Sequence, residues 1–282
     1  MRILVCLNRD LAGSVALNLL LPTLKGHDVR VGLTERVGVA GVANEPPGRA
    51  ELRAAEQALP NDVLFPLIER AGLPDDGCRF LTFSEVERHR GIPVSVLLNP
   101  NVAPGLDAVT AFAPDLILTI RYGAILKSPV IRIPRFGVLN LHSGQLPAYR
   151  GVLAVFRALM NGDAEIGCTL HYISDGTIDT GDVVGVERVP VSKDRSLLAH
   201  ILSLYPPGIA MMAKAVDALA RGETLQRLPQ ATSGGAYYTY PTAEDWAEFE
   251  RRGWRVTRSE DLLQVFQRYQ NVFTPLTATI TE

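Results

Sequence analysis

Residues 137–184 read GVLNLHSGQLPAYRGVLAVFRALMNGDAEIGCTLHYISDGTIDTGDVV. The stretch opens on a short apolar run, 137–141. In 152–160, Val152, Val155, Phe156 and Leu159 share one helical face, and Asn161-Gly162 supplies a stop. Two strand-like runs follow, 168–173 and 183–189. Working outward, 3–7 (ILVCL), 29–33 (VRVGL) and 115–120 (DLILTI) read as buried parallel strands. Residues 11–24, 49–72 and 196–221 read as helices, with breaks expected at Pro60 and at Pro206-Pro207. Strand-helix alternation predicts an α/β fold: an open, mostly parallel sheet with helices on both faces.

The chain has 282 residues, 47% hydrophobic and 21% charged, which is globular composition. Residues 228–240 (LPQATSGGAYYTY) mark a composition break. They divide a main domain, 1–230, from a short C-terminal appendage, 231–282, expected to be mixed helix and coil. Lys+Arg 28 against Asp+Glu 30 leaves a net charge of -2, which argues against a nucleic-acid surface. Cys6, Cys78 and Cys168 are odd in number and far apart. They suggest neither a disulfide framework nor a metal site, and a cytoplasmic location is expected. The opening apolar run is too short for a signal peptide, and no run reaches membrane-span length.

A dinucleotide site would need G-x-G-x-x-G after the first strand; LNRDLAGSVALN has one glycine. The chemistry-bearing residues lie elsewhere. Asn140 and His142 are two apart on one strand, so both side chains point to one side. They stand at a strand's carboxyl end, where open α/β sheets bind ligands. Asp179 lies in the glycine-bounded loop DGTIDTGD, which could fold back to the same place. Amide, imidazole and carboxylate supply an oxyanion donor, an acid or base, and a group to orient it. Each alone has an ordinary reading, since Asp-Gly and Asp-Thr-Gly segments also cap turns.

Together, Asn140-Leu141-His142-Ser143-Gly144-Gln145-Leu146-Pro147, Tyr149-Arg150-Gly151 and the loop from Asp175 to Gly181 resemble the 10-formyltetrahydrofolate-dependent formyltransferases. Gly144-Gln145 departs from that family's usual Ser-Leu. The resemblance implies a Rossmann-like formyltransferase sheet and formyl transfer from 10-formyltetrahydrofolate to an amine, without a metal. Asn140 and His142 would stabilise the oxyanion, and Asp179 would hold His142 and help move a proton. The resemblance places folate against Arg121, Tyr122, Gly123, Ile125 and Leu126, against Gln145, Leu146 and Pro147, and against Ile173, Ser174 and Asp175.

A small-molecule acceptor is expected, with neither nucleic acid nor membrane as partner. Arg9, Asp10 and Ser14 sit in the turn after the first strand. Arg9 could pair a carboxylate and Asp10 an ammonium, or Asp10 could be a helix N-cap. This turn, with the tail YYTYPTAEDW, resembles hydroxyornithine formyltransferases, making δ-N-hydroxyornithine the expected acceptor. An amino-sugar nucleotide stacked on Tyr237, Tyr238, Tyr240 or Trp246 is the alternative. Methionyl-tRNA and glycinamide ribonucleotide fit less well, the first for want of a basic surface and the second because Asp10 repels phosphate. Hydrolysis of 10-formyltetrahydrofolate and a catalytically silent binding module are the readings from other classes.

Overall fold

The computed structural model describes residues 1–35, 45–231 and 234–270. Its strands are β1 (Arg2–Asn8), β2 (Asp28–Thr34), β3 (Val94–Val96), β4 (Leu116–Ile120), β5 (Val138–His142), β6 (Tyr149–Gly151), β7 (Glu165–Tyr172), β8 (Val183–Pro190) and β9 (Ala236–Tyr238). Seven form one sheet in the order β3-β2-β1-β4-β5-β7-β8. Pairing is parallel from β3 to β5, and β7 runs antiparallel to both β5 and β8. The expected mostly parallel α/β sheet is what forms.

Alternation along the strands sorts the core onto two faces. Leu4, Cys6, Ile117 and Val138 pack with Val109, Phe112 and Val130 of the helices Gly105–Phe112 and Ser128–Ile131. Ile3, Val5, Leu7, Leu118, Leu139 and Leu141 face the other way, in a cluster that includes helices Leu11–Leu20 and Tyr205–Ala220. The central strands are therefore buried on both sides, which is why they read as unbroken apolar runs.

Two expected helix breaks fall differently. Residues 47–71 stay helical through Pro60: Pro47–Arg53 passes into a π-helical stretch, Ala54–Leu64, and then Phe65–Ala71. The Phe65 N–H reaches the Pro60 carbonyl, five residues back. A wider turn relieves the clash a proline makes with the carbonyl four residues before it. In the later helix the break lies at Leu204, and Pro206-Pro207 occupy the first turn of Tyr205–Ala220, where a missing N–H costs nothing.

Residues 234–270 pack onto the main body. Trp246 and Phe249 meet Phe156 with ring centroids 4.6 and 4.7 Å apart. Tyr269 donates from its hydroxyl to Ser14 Oγ at 2.8 Å. β9 pairs with β6 beside the carboxyl end of β5. No helix among the described residues is long and apolar enough to cross a membrane.

Candidate functional site

β5 ends at His142. The Asn140 amide is fixed by two neighbours: Thr119 Oγ1 donates to Oδ1 at 2.7 Å, and Nδ2 donates to His171 Nε2 at 2.9 Å. His171 can accept there because its Nδ1 donates to the Tyr172 carbonyl at 2.9 Å. This leaves the second Asn140 N–H uncommitted among the described residues. His142 Nε2 donates to the Tyr149 carbonyl at 2.7 Å, and its Nδ1 lies 3.5 Å from Asp179 Oδ2. Asp179 also accepts from the Gly151 N–H at 2.9 Å, and its Oδ1 is 3.5 Å from His171 Nε2. Burial raises the Asp179 pKa, but His142, the Gly151 N–H and, in its protonated form, His171 outweigh it and hold the carboxyl at about 2.

Local backbone explains how these groups meet. Four non-glycine described residues have positive φ. Ala113 ends a helix; the other three, Arg121 (φ 53), Leu153 (φ 53) and Asp179 (φ 55), all line one cavity. Strain of this kind persists only where the surroundings enforce it. Gly144 is needed for close approach: a Cβ there would lie 2.6 Å from His142 Nε2 and 2.8 Å from the Tyr149 carbonyl.

The cavity has a volume of about 740 Å³. Asn140, His142 and Asp179 form one end. The other end is charged. Arg121 Nη2 bonds Glu56 Oε2 at 2.8 Å and approaches Asp10 Oδ2 at 3.4 Å. Glu45 pairs with Arg53 at 2.8 Å and with Arg49 at 3.4 Å, and the Arg49 guanidinium lies 4.1 Å from the Tyr240 ring centre. Burial pushes the Glu56 carboxyl up; Arg121 pulls it back and Asp10 pushes it further, for a net rise.

Of the residues expected at a site, Asn140, His142, Asp179, Arg121 and Tyr122 meet on this cavity. Others lie beside it. The Gly123 N–H is taken by Thr34 Oγ1, Ile125 is exposed, and Leu126 and Ile173 pack in the apolar cluster beneath. Gln145 accepts from Arg188 Nε and the Leu146 N–H donates to Thr169 Oγ1. The Pro147 carbonyl abuts Gly235, and Ser174 leads into a turn in which Asp175 accepts from Thr177. Arg9 is exposed, whereas Asp10 and Ser14 are fully buried. Asp10 Oδ1 accepts the Gly13 N–H at 2.6 Å as helix N-cap, and Oδ2 accepts from Asn8 Nδ2 at 2.8 Å. Trp246 is core, at 2% exposure, while Tyr237 and Tyr240 line the cavity.

Sequence reasoning missed His171 and, at the charged end, Glu45, Arg49, Arg53 and Glu56, which surround the expected Arg121 and Asp10. One signal was available for the latter. Arg49, Leu52, Arg53 and Glu56 recur at i, i+3, i+4 and i+7, the spacing of a single helix face, and all four line the cavity. Among the described residues no group of three or more His, Cys, Asp or Glu is arranged to hold a metal.

Comparison with known proteins adds likenesses over part of the chain. Residues 87–200 match the formyl transferase family model. A methionyl-tRNA formyltransferase of Ralstonia pickettii is 38% identical over 135 residues, 48% of this chain and 41% of that protein. One from Parvibaculum lavamentivorans is 33% identical over 205 residues, 71% of this chain and 56% of that protein. The chain thus spans about half the length of the curated relatives it matches. A 4-N formyltransferase from Francisella tularensis superimposes with a TM-score of 0.56 at 14% identity, over 88% of this chain and 78% of that one. Glycinamide ribonucleotide transformylase 1 from Symbiobacterium toebii gives a TM-score of 0.54 at 17% identity, over 82% and 94%. These two share the fold.

Proposed function

We propose that this chain, whose residues 87–200 match the formyl transferase family model, moves a formyl group from 10-formyltetrahydrofolate to the nitrogen of a small-molecule amine. The observation that carries the reading is the convergence of Asn140, His142 and Asp179 on one cavity wall, with an Asn140 N–H uncommitted among the described residues. The amine nitrogen attacks the formyl carbon and forms a C–N bond, and the carbonyl oxygen becomes an oxyanion. Asn140 Nδ2–H and the His142 Nδ1 side face that charge, which exists only near the transition state. His142 Nε2 is tied to the Tyr149 carbonyl. Nδ1, beside Asp179, is therefore the ring nitrogen that faces the reacting atoms. Asp179 orients it and, through water, passes the proton from the attacking nitrogen to folate N10 as the C–N10 bond breaks.

The folate lies against the segment from Arg121 to Leu126 and against Ile173, Ser174 and Asp175. Supporting this, the two segments face each other: a Cβ on Gly176 would stand 3.9 Å from the Leu126 carbonyl. The acceptor is proposed at the level of a small amine. Both Asp10 oxygens are occupied within the protein, so the turn gives δ-N-hydroxyornithine no support of its own. The relatives' names raise methionyl-tRNA, but the arginines at the charged end, Arg49, Arg53 and Arg121, are each paired with a carboxylate there.

The test is incubation with 10-formyltetrahydrofolate and a panel of amines, δ-N-hydroxyornithine and methionyl-tRNA included, with formylated product read by mass. Amine-dependent product that disappears in Asn140→Ala is the expected result. Formate release that no amine alters would replace transfer with hydrolysis.

A further inference from the structure

Between β4 and the helix Ser128–Ile131 the chain runs through residues 121–127 without regular secondary structure. The segment starts from strain. Arg121 sits at φ 53, a left-handed conformation that a non-glycine residue keeps only where its surroundings enforce it. With no helix or ladder of its own, the segment must find partners for its backbone groups elsewhere. Two side chains supply them. Thr34, at the end of β2, accepts the Gly123 N–H on Oγ1 at 3.0 Å. Asn101, from the loop before the helix Gly105–Phe112, accepts the Lys127 N–H on Oδ1 at 2.7 Å and donates from Nδ2 to the Ile125 carbonyl at 2.9 Å. These clamps take residues 123, 125 and 127. No hydrogen bond reaches the Ala124 or Leu126 backbone among the described residues.

The Thr34 clamp is anchored in depth. Thr34 is 4% exposed and Asn8 is fully buried. With the Gly123 N–H on its oxygen, Thr34 has its hydroxyl proton for Asn8 Oδ1 at 3.1 Å, the Leu7 carbonyl standing 3.3 Å away. Asn8 Nδ2 donates to Asp10 Oδ2 at 2.8 Å, and that oxygen lies 3.4 Å from Arg121 Nη2. The bonds form a closed ring that leaves the segment at the Arg121 side chain and returns at the Gly123 N–H. Each side-chain oxygen and nitrogen of Thr34, Asn8 and Asp10 has a partner. A buried polar network so satisfied holds one geometry. The Asn101 clamp works from the other end. Its planar amide bonds the segment twice and so sets the spacing of residues 125 and 127, and its own N–H is tied to Asn99 Oδ1 at 3.1 Å.

We propose that Thr34 and Asn101 are positioning residues for the formyl donor, holding residues 121–127 in the shape that offers the open backbone groups of Ala124 and Leu126 to folate. Neither side chain lines the cavity, and both act through the backbone they hold. The proposal rests on the reading that places folate against Arg121 to Leu126.

The probe is 5-formyltetrahydrofolate, whose formyl group is on N5 and is not offered to the acceptor. Its binding is read by calorimetry. Formylation from 10-formyltetrahydrofolate of an amine that the wild type accepts is read separately by mass. Thr34→Val keeps the side-chain shape and removes the hydroxyl, and Thr34→Ser keeps the hydroxyl. Asn101→Ala removes both of its bonds to the segment, and Asn101→Asp keeps only the acceptor for the Lys127 N–H. Thr34→Val and Asn101→Ala should each weaken the probe about tenfold, the worth of a lost hydrogen bond. Thr34→Ser should stay within about threefold of the parent, with Asn101→Asp between it and Asn101→Ala. Donor KM should rise with the probe's dissociation constant, while kcat and acceptor KM change by no more than about threefold. A residue that merely stabilised the fold would lower kcat with the fraction of active protein and leave KM alone.

Folded Thr34→Val and Asn101→Ala proteins that bind the probe as the parent does overturn the proposal. So does a loss of kcat at unchanged donor KM, or a Thr34→Ser protein no better than Thr34→Val. Should Thr34→Val fail to fold, the Asn101 pair decides, since that side chain sits on a partly exposed loop. Probe binding that depends on the clamps, with no formylated product from any amine, would leave the proposal standing and sink the transfer reading. Product formed with donor affinity indifferent to both clamps would do the reverse. A wild type that neither binds the probe nor forms product would remove both.

Discussion

The two ends of the cavity are built on different terms. At the end proposed to be catalytic the side chains hold one another: Thr119 fixes Asn140, Asn140 meets His171, and Tyr149 and Asp179 bracket His142. At the charged end Glu56 and Arg121 each keep a buried atom unmatched among the described residues. The first arrangement is set before any ligand arrives, as stabilisation of a fleeting charge requires. The second is a set of ion pairs, Glu56 with Arg121 at 2.8 Å and Glu45 with Arg49 and Arg53. Substitutions at the first end should therefore lower turnover, and those at the second should shift acceptor affinity.

The largest effect is expected at Asp179. Asn tolerates the left-handed backbone at φ 55, so Asp179→Asn should fold while losing the charge. Turnover should fall by about a thousandfold, within the range for a positioned acid or base. The same variant gives a pH test. The native carboxyl, at about 2, sits below its unfolded value, so its stabilisation is full above about pH 4 and is lost as pH falls through 2. Denaturant unfolding should show the variant less stable by about 2 kcal/mol at pH 6, with the gap closing between about pH 4 and 2. A gap that stayed constant, or turnover near the parent's, would remove Asp179 from both roles.

Next come Asn140→Ala and His142→Ala. Each should cost about a hundredfold in kcat, the scale of one oxyanion donor, with acceptor and folate affinities changed by no more than about threefold. A change in KM alone would erase the contrast between the two ends. Below these stand the supports. In Gly144→Ala the new Cβ displaces His142, and in His171→Ala the Asn140 amide loses its anchor. About tenfold in kcat is expected from each, with KM little altered. If His171→Gln, which restores an acceptor, fails to recover activity, the anchoring role is wrong.

The meeting of Asn140, His142 and Asp179 was legible because they lie within 140–179, where strand alternation and loop glycines put them in register. The parallel sheet was legible for a related reason: β1 and β4, buried on both faces, leave unbroken apolar runs. The charged end was not. Asp10, Glu56 and Arg121 come from a turn, a π-helical stretch and a post-strand bend, and only the fold brings them together. Asp10 was weighed as either a ligand or a cap; its contacts are those of a cap that also braces Arg121. Pro60 misled because helix rules assume a four-residue hydrogen-bond step, which this segment abandons. β6 and β9, three residues each, carry no periodicity to read, and their pairing spans more than eighty residues.

That pairing supports the smallest prediction. β9 runs along β6, whose Tyr149 carbonyl binds His142 and whose Gly151 N–H binds Asp179. Gly235, just before β9, packs so tightly that a Cβ would fall 1.7 Å from the Pro147 carbonyl. Tyr238 stacks on Tyr149 with ring centres 5.9 Å apart and planes 24° apart. The tail strand therefore steadies both backbone groups that hold the catalytic pair, without touching either side chain. Losing one stacked ring is worth about 1 kcal/mol. Tyr238→Leu should thus lower kcat by about threefold through a looser 149–151 segment, leave acceptor affinity unchanged, and be rescued by Tyr238→Phe, which keeps the ring. A Tyr238→Leu protein with parental kcat would show that β6 holds its place without the tail. One with altered acceptor affinity would show that the two ends are coupled through the tail and not independent.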